Sequence, residues 1–176
     1  SGEQVVMSVL AAGGLVDVAN LSDAAILDVL PLAQKVGRPV ITTRGSARAV
    51  RSRPGSLADW ELHGIAASGG VIGLSLDRDL IGDGRSADLT DLLRQVDHIL
   101  RIAGPDSLAL ASGFETGAIP LASVASASRF PKLAASLSAH GLSSEQIRKL
   151  MGGNALRVLC APKISELLRR DAEAGR

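Results

Sequence analysis

Four short apolar runs, separated by stretches of helical periodicity, constrain this chain more than any other feature. They are Leu15–Ala19, Pro39–Thr43, Val71–Leu76 and Leu108–Ala111, and their starts lie 24, 32 and 37 residues apart. Each interval has room for a strand and a crossover helix, the connection that parallel neighbours require. The intervening segments carry helix signals. Ser22 stands ahead of Ile26, Leu27 and Leu30, and Ser56 with Asp59 resembles a capping box before Leu57, Trp60 and Ile65. Asp88 opens a run with Leu89, Leu92, Leu93, Val96, Ile99 and Leu100 on one face, and Ser143 with Gln146 precedes Ile147 and Leu150. Segments 3–12, 130–140, 155–161 and 163–172 also read as helices, the last forming a C-terminal helix and tail over 163–176. Strands alternating with helices predict an α/β domain with a parallel sheet, one domain over 1–176. Residues 113–128 form a connection longer than usual, which marks it as either functional or mobile.

Composition removes several classes of function. Nineteen Lys+Arg against 18 Asp+Glu leave a net charge of +1, without the basic excess of a nucleic-acid or membrane-surface binder. Aromatic residues are 2% of the chain, too few for a base-stacking platform. No run approaches the roughly 20 apolar residues of a bilayer span. The single cysteine, Cys160, excludes an internal disulfide and a multi-cysteine zinc site, and it reads as a buried, inert thiol. The expectation is a protein acting without nucleic acid or membrane. No signal-peptide pattern is present, so the expected location is cytoplasmic.

From Gly14 onward the order of motifs resembles the C-terminal half of the membrane (renal) dipeptidase family, binuclear zinc peptidases on a (β/α)8 barrel. The resemblance runs through Leu15-Val16-Asp17-Val18-Ala19-Asn20-Leu21-Ser22, then Arg38-Pro39-Val40-Ile41-Thr42-Thr43-Arg44-Gly45-Ser46-Ala47-Arg48. It continues at Ser68-Gly69-Gly70-Val71-Ile72-Gly73, Val96-Asp97-His98-Ile99, Phe114-Glu115 and Phe130-Pro131-Lys132-Leu133. It closes on Gly141-Leu142-Ser143 and Gly152-Gly153-Asn154-Ala155-Leu156-Arg157-Val158-Leu159. Four strands correspond to half of such a barrel, because a closed one typically takes ~250 residues. Two open sheet edges and an uncovered inner face then imply a partner that completes the barrel, either another protein with the first four strands or a second copy.

The resemblance also says where chemistry should sit, and there the sequence departs from it. The two family histidines that bind zinc at strand ends fall at Asn20 and Arg44, and the family acidic residue falls at Gly113. The arginine that grips the substrate carboxylate falls near Gly55, with Arg53 two residues away. Zinc takes lone-pair donors of the His, Cys or carboxylate type. Asn is a weak neutral ligand, and Arg offers no lone pair and keeps its positive charge. The implied protein is therefore a catalytically degenerate dipeptidase-like subunit with a structural or regulatory role. No cofactor is expected on this chain, and zinc is expected only where a partner half supplies the ligands. Two alternatives stand: one chain of a split or processed zinc hydrolase whose active site is mostly on the other half, and an anion-binding module built on Arg44–Arg53.

Arg44, Arg48, Arg51 and Arg53 lie just past the second strand, where guanidinium forks suit carboxylates and phosphates. Arg44, Arg48 and Arg53 are candidate substrate-binding residues; the plainer reading is a solvated loop. Glu115 is a candidate catalytic carboxylate, although a single one makes no acid–base pair. Asp97-His98 reads as a structural hydrogen-bonding pair, His63 and His140 as exposed helix positions, and Gly152-Gly153-Asn154 as a helix stop followed by an Asn cap.

Overall fold

The computed structural model describes residues 1–114 and 117–160. Helix α1 (Gly2–Ala11) leads into β1 (Val16–Asp17), then α2 (Asp23–Lys35), β2 (Val40–Gly45), α3 (Asp59–Ala67) and β3 (Val71–Ser75). A one-turn α4 (Arg78–Ile81), the long α5 (Leu89–Ala103) and β4 (Leu108–Ala111) follow. Beyond β4 come two 3-10 turns, α6 (Phe130–His140), α7 (Ser144–Arg148) and a π turn (Lys149–Gly153) that runs into a helical segment over 154–160. The four strands form one parallel sheet in the order β1-β2-β3-β4, so β1 and β4 are its edges. This is the architecture of half a (β/α)8 barrel.

Side-chain alternation divides the sheet into two faces. Val18, Val40, Ile72, Leu74, Leu76 and Leu108 belong to the main core, with Ile26 from α2, Leu62 and Ile65 from α3, and Leu92, Val96 and Ile99 from α5. On the other face, Val71 and Ala109 join Leu15 and Ile41 and are covered by Ala155 and Val158 of the closing helical segment. Nearer the strand ends that face carries Thr43, Gly73, Ser75 and Ala111.

Local signals explain most boundaries. Ser22 caps α2 by accepting from the Ala25 N–H, and Asp88 caps α5 by accepting from Thr90 and Asp91. Ser143 and Gln146 form the expected capping box of α7. Gly69 ends α3 at φ +75°, and Gly70 lies so close to the Val40 carbonyl that an added Cβ would stand 1.7 Å from that oxygen. The Gly-Gly pair is thus one turn residue and one close approach.

Several expectations need correction. β1 is two residues long rather than five, because the Asp17 carboxylate accepts from the Ala19 N–H at 3.0 Å and turns the chain out of the ladder. Helix α3 starts at Asp59 behind Ala58, not at a Ser56 cap: the Glu61 carboxylate accepts from the Ala58 N–H at 2.6 Å. Ser56 is buried instead as a hub of its loop, joined to Ser46, Arg51 and Arg53. Trp60 is 41% exposed, whereas Leu57 and Ile65 are buried. Asn154 does not cap a new helix. It has helical φ/ψ, and its amide donates to the carbonyls of Pro105 and Leu108, both at 2.8 Å, while the kink falls at Gly152. Cys160 is partly rather than fully buried. The C-terminal helix and tail expected over 163–176 lies outside the described residues.

Candidate functional site at the strand ends

In a parallel sheet of this kind, ligands bind at the carboxyl ends of the strands. Asp17, Ala19, Asn20, Thr43, Arg44, Ser75, Ala111 and Gly113 line a cleft of about 310 Å³ there, drawn from all four strand ends. A second cleft adjoins it across Arg44 and is lined by Arg44, Arg53, Pro54, Asp77, Asp79 and Leu80.

A bulge in β2 aims the central residue. Thr42 pairs with Ile72, but Leu74, two residues further along β3, pairs with Gly45 rather than residue 44. One extra residue is thus accommodated on β2, and Thr43 and Arg44 together span the step opposite Gly73. Arg44 therefore enters the cleft instead of the helix-facing core that strict alternation assigns to it. Its Nη2 donates to Asp77 Oδ2 at 2.8 Å, an ion pair whose carboxylate side chain is 6% exposed and whose arginine side chain is 42% exposed. Asp77 Oδ1 accepts from the Asp79 N–H at 3.1 Å, so this carboxylate both caps α4 and holds Arg44. Sequence reasoning missed Asp77, because its helix-cap position gives no hint of a partner 33 residues away.

At the end of β1, the Asp17 carboxylate accepts from the Thr43 N–H at 3.0 Å and from the Thr43 hydroxyl at 2.5 Å, tying β1 to β2 beyond the ladder. Asn20 follows at φ +64°, the left-handed region that Asn tolerates, and is exposed. The 53–55 loop overhangs it, since a Cβ on Gly55 would meet Asn20 Oδ1 at 3.5 Å.

The remaining candidates separate. Arg53 lines the second cleft, with only a distant counter-ion, Asp83 at 3.7 Å; Arg51 holds that same carboxylate at 2.5 Å. Arg48 points elsewhere: it makes a bidentate pair with Asp23, both bonds 2.7 Å, and donates to the Ser56 carbonyl. The hydrogen bonds from Arg48 hold the Asp23 carboxyl below its ordinary range. Glu61 lies 3.5 Å from Arg48 and is fully buried, and burial pushes its carboxyl up. Gly113 lines the first cleft, whereas Glu115 lies outside the described residues. His98 is structural as expected, its Nε2 meeting Asp59 at 2.6 Å and its Nδ1 accepting from Arg101. His140 pairs with Asp97 at 2.9 Å on the helical exterior, and His63 is exposed.

The profile of the family described as membrane dipeptidase (peptidase family M19) matches residues 1–171. The chain belongs to the membrane dipeptidase family. Among its curated relatives, the dipeptidase ataJ of Aspergillus terreus is 35% identical over 153 residues, covering 84% of this chain and 36% of that protein. An uncharacterized protein in the pqqA 5′ region of Klebsiella pneumoniae is 33% identical over 150 residues, covering 82% and 53%. Among solved structures, the metallo peptidase of Rhodobacter sphaeroides, liganded with a phosphinate mimic of L-Ala-D-Ala, superposes with a TM-score of 0.83 at 28% identity, covering 90% of this chain and 45% of that one. The probable dipeptidase PvdM of Pseudomonas aeruginosa shares the fold at a TM-score of 0.82 and 21% identity. The chain thus spans between about a third and a half of the length of these relatives.

Family membership makes the metal question concrete. The strand-end positions that the resemblance assigns to zinc-binding histidines carry an exposed amide, Asn20, and a guanidinium, Arg44. Among the described residues no three His, Cys, Asp or Glu side chains group closely enough to hold a metal ion. A guanidinium has no lone pair to give and repels a cation beside it, so Arg44 itself offers no ligand to a metal. No helix among the described residues is long and apolar enough to cross a membrane.

Proposed function

We propose that this chain is a catalytically degenerate dipeptidase-family half-barrel, with a structural or regulatory role exercised by completing a barrel with a protein partner. The observation that carries this reading is Arg44: a fixed positive charge, bound to Asp77, at a strand end where the family chemistry calls for a metal ligand. Without ligands at Asn20 and Arg44, this half has no means of polarising a peptide carbonyl or generating a metal-bound hydroxide. The open edges β1 and β4 and the small, partly uncovered inner face favour a partner that supplies the missing strands.

A second reading has its own support. Because the chain covers 36–53% of its relatives, a zinc site could reside on the other half of a split or processed hydrolase, with this half shaping the cleft. One measurement separates the two: native mass spectrometry of the protein isolated from its source, with metal content and dipeptide hydrolysis assayed on the same sample. The degenerate reading expects a metal-free assembly without dipeptidase activity. About two zinc ions per assembled barrel, with hydrolysis, would establish the split enzyme. As an internal control, the double variant Asn20→His/Arg44→His should gain zinc affinity only when a ligand-bearing partner half is present.

A further inference from the structure

Charge at the strand ends is distributed unevenly: the Asp17 and Asp77 carboxylates are hydrogen-bonded, whereas Arg44 and Arg53 keep donors without acceptors among the described residues. Asp17 accepts three hydrogen bonds, from the Ala19 N–H, the Thr43 N–H and the Thr43 hydroxyl. The Asp77 carboxylate accepts from the Asp79 N–H and from Arg44 Nη2, while its own backbone N–H donates to the Ser75 hydroxyl. By contrast Arg44 uses only Nη2, and its Nε is buried with no hydrogen-bond partner. Among the described residues, Arg53 has no hydrogen bond from its side chain and only the shared, distant Asp83 as counter-ion. The Asn20 amide makes no side-chain hydrogen bond among the described residues, and the residue is held in the left-handed region where it lines the first cleft. Arg44 lines both clefts, with Asn20 in the first and Arg53 in the second, and the 53–55 loop that carries Arg53 reaches Asn20 through Gly55. Asp79 is the one carboxylate on that wall that accepts no side-chain hydrogen bond from its neighbours among the described residues.

We infer that the strand ends form a binding site for a small oxyanion, a carboxylate or phosphate group, with Arg44 as the fixed cation and Asn20 and Arg53 as flanking donors. Asp77 serves as a positioning residue: it takes one edge of the guanidinium and thereby fixes the direction of the rest. Guanidinium and amide N–H groups that face a cleft without acceptors bind an oxyanion by charge-assisted hydrogen bonds, and a pre-oriented fork loses less freedom in doing so. The position that would carry a cation in a metal-binding relative is thereby inverted in sign. The inference rests on the degenerate reading above, since an arginine that merely sat beside a bound metal would not be available to an anion.

The test is an amide-resolved NMR titration of the protein with inorganic phosphate and, separately, with acetate, alongside zinc binding by calorimetry on the same preparation. Expected are saturable shifts at Asn20, at Thr43–Arg44 and in the 53–55 loop, weakened by added salt. Because Arg44→Ala alone would strand the buried Asp77 carboxylate, the central variant is Arg44→Met/Asp77→Asn, which removes both charges and keeps a capping side chain. It should weaken binding at least about ten-fold, Asn20→Ala and Arg53→Ala by about three- to ten-fold each, and Asp79→Asn should tighten it. Binding of phosphate alone would specify a tetrahedral dianion, of acetate alone a carboxylate, and of both an unselective oxyanion site. Unchanged titration of Arg44→Met/Asp77→Asn, or no saturable binding of either anion, overturns the inference while leaving the degenerate reading intact. Stoichiometric zinc held through Asn20 and its neighbours overturns both.

Discussion

Arg44 and Asp77 meet across the ends of β2 and β3 at 2.8 Å, with the carboxylate almost wholly buried and the guanidinium half in solvent. The bulge in β2 delivers the arginine, and the cap of α4 delivers the acid. Neither partner has a neighbour in sequence that announces the pair. Removing the arginine leaves a buried carboxylate with one fewer donor. Arg44→Met is therefore expected to cost about 1–2 kcal/mol, a buried-pair loss discounted for the exposed guanidinium. Arg44→Met/Asp77→Asn should recover most of it. Urea unfolding of the two single variants and the double variant closes the cycle; additive losses would show that the pair is not coupled.

Glu61 makes stability depend on pH with a definite sign. Burial raises its carboxyl above the ordinary value of 4.5, so the folded protein holds that proton more tightly than the unfolded chain. Its contribution is therefore most favourable at or below pH 4.5 and declines as pH rises through the elevated folded value. Asp23, lowered by Arg48, acts in the opposite direction: its contribution is present above its unfolded value of 3.8 and is lost as pH falls below it. Glu61→Gln keeps an acceptor for the Ala58 N–H and should flatten the upper limb of the stability profile. An unaltered limb, measured by denaturant melts from pH 4 to 8, would place the titrating group elsewhere.

Asn154 ties the closing segment to the sheet. Its amide, 2% exposed as a residue, donates to the carbonyls of Pro105 and Leu108 at the entry to β4. Asn154→Ala leaves two acceptors without their donor and should destabilise the protein by about 2–3 kcal/mol. The Leu108–Ala111 amides should lose hydrogen-exchange protection before the β2–β3 pair does.

Gly70→Ala is expected to be the most damaging single methyl in the sheet. The added Cβ would stand 1.7 Å from the Val40 carbonyl and 2.9 Å from that of Ile65, and both are backbone atoms with no rotamer to change. A cost of about 3 kcal/mol or more follows, read as a lowered thermal midpoint. Gly69→Ala is strained for a different reason, its φ of +75°, and should cost about 1 kcal/mol, because no atom lies within 4 Å of the new methyl.

The order of strands and helices was legible because it depends on periodicity and capping, which are local. The run Val71–Leu76 announced β3, and Ser22, Asp88 and Ser143 announced their helices correctly. Where a polar side chain could serve two partners, the sequence was ambiguous. Ser56 looked like a cap and became a loop hub, and Asn154 looked like a cap and became a donor to β4. The candidate site was legible only as positions: Asn20, Arg44 and Gly113 were placed at strand ends by resemblance, without any indication of what each would touch.

By itself, then, the sequence determined an alternating α/β chain, the helix-facing core, and the identity of the residues available at the strand ends. Tertiary structure decided what those residues do. A one-residue bulge turned Arg44 from the core side to the cleft, Asp77 fixed its direction from 33 residues away, and Arg48 was drawn off to Asp23 and Ser56. The physical reason is the range of the forces. Backbone preference and hydrophobic period act within a few residues, whereas the pairing of buried charges depends on which chain segments the sheet brings side by side.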